Sequence, residues 1–190
     1  MQTLPDETLE TATLLTALAT VDALLLTYRT TLGRDVLAYR NHVYRVVNIC
    51  VALTSPEPET VEKIAVAAVF HDLGIWTDGT LDYLPPSIIL AQAYLAQTSR
   101  AAWMPEITAM ILEHHKVSSY SGNPQWLVEP FRRADWIDVT RGLCTFGLSQ
   151  ATLRPIFAAW PNAGLHKRLA LLALRRLRTH PLSPLPMMRR

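Results

Sequence analysis

The sequence predicts an all-α fold, on three observations. Apolar residues recur at spacings of three and four along most of the chain, as on one face of a helix. No segment shows the strict apolar–polar alternation of a half-buried strand, and no glycine-rich phosphate loop follows a strand-like run. Prolines stand where helices should start. At 190 residues, with 49% hydrophobic and 18% charged residues, the chain suits a single domain over 1–190 with a sizeable core and is unlike a disordered polymer.

The elements follow in order. Asp6 to about Tyr28 carries Leu14, Leu18, Val21 and Leu25 at helical spacing, and Gly33 closes that segment. Asp35 to Leu53 is apolar almost all round and should be a buried helix, with His42 in its middle and Arg45 three residues on, sharing the face of His42. The connector Ser55 to Glu59 has the proline and acids of a helix start. The third helix then runs to Asp72 through Ile64 to Phe70, central to the fold, with Gly74 placed to terminate it. Ile75 to Pro86 is a loop mixing acids, glycine and aromatics. Helices four and five start at Pro86 and Pro105 and end near Thr98 and at Glu113-His114-His115-Lys116. A polar loop, Ser118 to Asn123, leads to helix six from Pro124, which includes Asp135 and Asp138 three apart on one face. Ser149 to Trp160 and Ala163 to Thr179 complete the helices, and the tail from Pro181 is too rich in proline for regular structure.

Polar groups in this apolar background point to chemistry. His71-Asp72 ends the most apolar helix, where the last carbonyls add a negative field that favours a cation. An imidazole nitrogen and a carboxylate oxygen are good ligands for a divalent ion, although a capped helix end would also explain the pair. His42 reads either as a satisfied core histidine or as a ligand. His114-His115 reads either as exposed imidazoles or as part of a site. Asp135, between Ala134 and Trp136, needs a partner if it is buried.

Together these residues run H … HD … HH … D, each on a different helix. In this order, and through Tyr39-Arg40-Asn41-His42, Phe70-His71-Asp72-Leu73-Gly74 and Arg133-Ala134-Asp135-Trp136-Ile137-Asp138, the chain resembles the HD-domain superfamily of metal-dependent phosphohydrolases. The match covers about 35–140, leaving extra helices at both ends. The resemblance implies an HD-domain-like helical bundle in which His42, His71, Asp72 and Asp135 hold one divalent transition metal. Such a donor set suits Mn, Fe, Co, Ni or Zn. It implies hydrolysis of a nucleotide or related phosphate monoester by a water whose pKa the ion lowers. Arg45, Lys116, Arg132 and His115 are the candidates for neutralising phosphoryl oxygens, and Trp76 and Asp82 for a wall of the substrate site.

The sequence also departs from that family. Where one branch has an acid three residues after the HD aspartate, and another a lysine, this chain has Ile75. The general acid or base must then come from elsewhere, from Asp78, Asp82, Glu113 or His114, while Asp72 can both bind the metal and orient the water. One metal is expected rather than two, with His114-His115 keeping the second open. Two other functions stand beside phosphohydrolysis: non-phosphate metal chemistry such as a hydratase or oxygenase reaction, motivated by Ile75 and the aromatic loop, and a regulatory module with a structural metal.

The remaining expectations concern setting. Cys50 and Cys144 lack any metal or disulfide spacing and suit a reducing compartment. The N-terminal residues lack a signal-peptide pattern and no run is long enough for a membrane span, so a cytoplasmic protein without membrane association is expected. Net charge is +2, unevenly spread, since from Ala151 onward eight basic residues meet no acid. That basic stretch lacks interleaved aromatics, so the expected partner is a small phosphorylated substrate rather than nucleic acid, with a homodimer left open.

Overall fold

The computed structural model describes residues 14–182 and 186–188, and among these the protein is entirely helical, without a strand. Ten α-helices are present among the described residues: α1 (Ala19–Thr27), α2 (Arg29–Leu32), α3 (Val36–Thr54), α4 (Pro58–Phe70), α5 (Gly74–Thr77), α6 (Leu84–Gln97), α7 (Met104–Glu113), α8 (Val128–Val139), α9 (Gln150–Ala159) and α10 (Leu165–Thr179). No described helix is long and apolar enough to cross a membrane.

The pattern of apolar residues sets the layering. From Asn41 to Cys50 every residue of α3 is buried, and so is every residue of α4 from Ile64 to Phe70. Helices buried all round belong at the centre, and α3 packs there against α4, α8 and α9 while α4 meets α1, α6 and α7. The Tyr39 hydroxyl donates to the carbonyl of Val69 at 2.6 Å, fixing α3 against the last turn of α4. This seam brings His42 beside His71.

Four boundaries differ from expectation. The first helix begins at Ala19, and Leu14 to Leu18 is not helical; Asn48 pairs with the backbone of Leu15 and the Tyr44 hydroxyl accepts from the amide of Leu18, so side chains from α3 hold this segment extended. The expected start at Asp6 lies outside the described residues. Helix α8 begins at Val128 rather than Pro124, because the Asn123 side chain accepts from the amide of Gln125 and Glu106 on α7 accepts from the amide of Leu127. These bonds offer the backbone a turn in place of a helix. Ile75 to Pro86 is not wholly a loop, since it opens with α5 and closes inside α6. In the tail, Pro186–Met188 forms one 3-10 turn.

Gly74 does not terminate a helix in the left-handed conformation; it begins α5. The reason for glycine there is close approach. A Cβ at this position would lie 2.4 Å from the carbonyl oxygen of Tyr83 and 3.0 Å from both Pro86 Cγ and Ser87 Oγ, and its amide donates to Ser87 Oγ at 3.0 Å. Gly74→Ala must push α5 away from the start of α6. A loss of about 1–3 kcal/mol is expected for such overpacking, read as a lower urea midpoint, and an unchanged midpoint would show that the two elements are free to separate.

Candidate metal centre

Each ligand candidate is carried by a different part of this helical core. His42 projects from the middle of α3, His71 caps α4, Asp72 follows it, His114 and His115 form the turn after α7, and Asp135 lies on α8. Four of the six histidines of the chain therefore meet at one place, and His42, His71, Asp72, His114 and Asp135 are all buried.

Outer hydrogen bonds set which nitrogen of each ring faces inward. His42 Nδ1 donates to Asp138 Oδ2 at 2.6 Å, His71 Nδ1 to the carbonyl of Ala68 at 2.8 Å, and His114 Nδ1 to the carbonyl of Ile111 at 2.7 Å. With Nδ1 carrying the proton, Nε2 presents a lone pair. The Nε2 atoms of His42 and His71 face each other at 2.9 Å. Two lone pairs that close repel unless a proton or a cation lies between them.

The carboxylates complete the arrangement. Asp72 Oδ2 is 3.6 Å from Nε2 of both His42 and His71, and Asp135 Oδ1 is 3.8 and 3.6 Å from the same two atoms. The other oxygens turn toward the histidine pair: Asp72 Oδ1 lies 3.4 Å from His114 Nε2, and Asp135 Oδ2 lies 3.5 Å from His115 Nδ1. Asp72 Oδ1 and both oxygens of Asp135 are buried without a hydrogen-bond partner. Buried carboxylate oxygens are costly unless paired or coordinating. Three sets of donor atoms, His42-His71-Asp135, His71-Asp72-His114 and His114-His115-Asp135, each lie within 4.8 Å of one another. Buried His and Asp groups here can hold a metal ion.

The titration behaviour has the same origin. Burial opposes ionisation of Asp72, but His71, His114 and His42 outweigh it and hold the carboxyl well below its ordinary value. Asp135 is likewise lowered to about 2, against burial, by His71, His115 and His114. His115 is lowered to about 4 by burial and by the neighbouring His114. His42 is pushed up to about 10, since hydrogen bonds to Asp138 and Asp72 outweigh its burial. In protein stripped of metal, the raised His42 pKa stabilises the fold fully below about 6.5, the ordinary histidine value, and that contribution is lost as pH rises toward about 10. The depressed acids act oppositely, with stability present above about 4 and lost as pH falls toward about 2. Thermal unfolding of chelator-treated protein should therefore weaken between pH 7 and 10, and metal addition at pH 8 should release the His42 proton. A flat alkaline profile with no proton release would contradict this picture.

Asp138 is the residue that the sequence placed on the right face without a role. It accepts from His42 Nδ1 and from Arg45, whose Nε pairs with Asp138 Oδ1 and whose Nη2 lies 2.9 Å from Asp138 Oδ2. Arg45 also donates to the carbonyl of Trp160 at 2.9 Å. A carboxylate behind a ligating histidine orients the ring and raises its basicity. Asp138→Asn is expected to weaken metal affinity about 10- to 100-fold while leaving the helical content intact, as read by competition with a chelating dye.

Beside the centre lies a cavity of about 320 Å3. Asp72, Tyr83 and His115 border it on the metal side, Ile75, Leu81, Trp136 and Val139 form its walls, and α10 lines it with Leu169, Ala170 and Ala173 beside Met187 and Met188. The Tyr83 hydroxyl is 3.2 Å from His114 Nε2. Tyr83 and His166, a further wall residue, carried no separate signal in the sequence. Tyr83 is one of several aromatics in a loop, and His166 stands in the leucine-rich last helix.

Several candidates sit elsewhere. Arg45 is fully committed behind the centre, and Arg132 pairs with Glu129 at 2.7 and 2.8 Å and donates to the carbonyl of Lys116. The Trp76 indole donates to Asp35 at 3.0 Å, and Trp76 does not line the cavity. Asp78 and Asp82 are exposed, and neither they nor Glu113 and Lys116 line the cavity.

Comparison of the chain with protein-family models, with curated proteins and with solved structures returned no match.

Proposed function

We propose that this protein is a metal-dependent hydrolase built on an HD-like helical bundle, with His42 Nε2, His71 Nε2, Asp72 and Asp135 as the ligands of a divalent transition metal. The observation that carries the reading is the approach of His42 Nε2 to His71 Nε2, 2.9 Å apart, beside Asp72 and Asp135, of which Asp72 Oδ1 and both Asp135 oxygens are buried without a hydrogen-bond partner. The ordered H … HD … D arrangement supports the same family of sites. A bound divalent ion supplies Lewis acidity and lowers the pKa of a water that it holds.

The residues of the chain do the rest. Asp138 and Ala68 hold the two imidazoles in the ligating tautomer. Asp72, which borders the cavity, and His114, whose Nε2 lies 3.4 Å from Asp72 Oδ1, are placed to take the proton of the attacking water. That assigns proton transfer to Asp72 and His114 in place of the acid missing at Ile75, and leaves Asp78, Asp82 and Glu113 without a part in it.

Charge decides between phosphate and neutral substrates. One divalent ion with two carboxylates leaves the centre formally neutral, and neither Arg45 nor Arg132 lines the cavity. A phosphate ester on this site therefore needs a second ion. His114, His115 and Asp135 form the second donor set that would hold it, and proton transfer would then fall to Asp72 alone. Addition of water to a neutral substrate, which needs only one ion, is the second reading, and the apolar walls favour it. Elemental analysis followed by a panel of phosphate esters and neutral nitriles and amides with Mn, Fe, Co, Ni and Zn tests both. Turnover of esters at two ions per chain supports the phosphohydrolase, and turnover of neutral compounds at one ion the second reading. A well-folded protein that takes up none of these metals defeats the hydrolase altogether.

A further inference from the structure

We propose that the cavity beside the metal centre takes the apolar body of a small substrate, of aryl or compact alkyl type up to about the size of a naphthyl group, and excludes nucleotides. The proposal rests on the metal-dependent hydrolase reading for the reacting head group, while the cavity itself is independent of it.

Three features lead to this substrate class. The first is what the lining offers. Among the described residues no lysine or arginine borders the cavity, so none of its described lining groups neutralises a phosphate chain. The second is that its polar lining groups are mostly spoken for. The Trp136 indole donates to the carbonyl of Lys116 at 3.2 Å, Tyr83 is hydrogen-bonded with His114, and His166 donates from Nε2 to the carbonyl of Val139 at 3.0 Å with Nδ1 against the side-chain amide of Asn162. Only Asp72 and His115 remain, both on the metal side. A ribose and a base brought into such a space would leave their donors and acceptors unpaired, a penalty that discriminates strongly. The third is size. An apolar cavity of about 150 Å3 takes up benzene, and this one, about 320 Å3, is roughly twice that. A substrate would thus enter with its polar head against Asp72 and His115 and its apolar body between Ile75, Trp136 and α10.

The outer wall makes α10 the determinant of specificity. Ala173 and Leu169 face the cavity from a helix that supplies no metal ligand candidate, so that wall can be changed without touching the centre.

The test uses metal-loaded protein and three chelating probes that share one head: acetohydroxamate, benzohydroxamate and 2-naphthohydroxamate. Calorimetry should show affinity rising at least about tenfold from the first to the aryl probes, as burial of an aromatic ring predicts. Adenosine monophosphate in large excess should not displace the naphthyl probe. Ala173→Phe, which fills the cavity from α10, should abolish the aryl gain and leave acetohydroxamate binding unchanged. Equal affinity across the series, or displacement by the nucleotide, overturns the proposal. Naphthalene alone, followed by its fluorescence on chelator-treated protein, separates the two layers. Its uptake by the parent and loss in Ala173→Phe supports the cavity even if no metal binds, and its failure to bind overturns the cavity even if the metal reading holds.

Discussion

His71→Ala is expected to lose its metal and, with it, all turnover. The ring sits at the point where α3, α4 and α8 converge, and its Nε2 is within 3.6 Å of His42, Asp72 and Asp135 together. No other described side chain takes part in both the His42-His71-Asp135 and His71-Asp72-His114 donor sets. Removing it takes a ligand from either arrangement, so the affinity loss should exceed the roughly 10- to 100-fold that follows loss of an outer partner such as Asp138. The contrast between His71→Ala and Asp138→Asn is the informative one. Elemental analysis after dialysis should find the first empty and the second reloadable at higher metal concentration, with circular dichroism reporting helical folds for both. Retention of parent-level metal by His71→Ala would show that the ion, if any, sits elsewhere.

Arg45→Met should be the most destabilising single change outside the ligands. Arg45 and Asp138 are each about 1% exposed, and their ion pair lies in the core between α3 and α8. Removing the cation leaves a buried carboxylate with His42 as its one partner and orphans the carbonyl of Trp160. Breaking such a pair costs about 3–5 kcal/mol, whereas an exposed pair such as Arg34 with Asp35 contributes about 0–1 kcal/mol. For a chain of this length that corresponds to a drop in Tm of roughly 6–20 °C. Because the cost comes from the uncompensated charge, adding Asp138→Asn to Arg45→Met should recover part of it, a non-additivity that a double-mutant cycle reads directly. Equal losses for the double and single variants would mean that packing, not charge, dominates at Arg45.

The two predictions mark where pattern sufficed and where it did not. Helices α3 and α4 were legible because their apolar residues run all round, and His42, His71, Asp72 and Asp135 were legible because polar groups in such surroundings need a reason. Arg45, a candidate for phosphoryl oxygens, pairs with Asp138 instead of lining the cavity, for a physical cause. A cation one turn from a candidate ligand looks equally suited to substrate or to a carboxylate, and the carboxylate that claims it is 93 positions away. The start of α8 depended on Glu106 catching the amide of Leu127, a tertiary bond with no local signature. The cavity was invisible for a similar reason, since the stripe on α10 has the same periodicity whether it faces bulk solvent or a pocket.

The ligand positions have one more consequence, for the life of the protein in a cell. His42, the adjacent pair His71-Asp72, and Asp135 come from three stretches far apart in the chain, and an ion joining them would recognise the folded form alone. At a free concentration 100 times its dissociation constant, such an ion adds about 2.7 kcal/mol to folding, enough to change abundance several-fold where proteases remove unfolded chains. A metal held there would thereby couple how long each molecule survives to how much metal its surroundings provide.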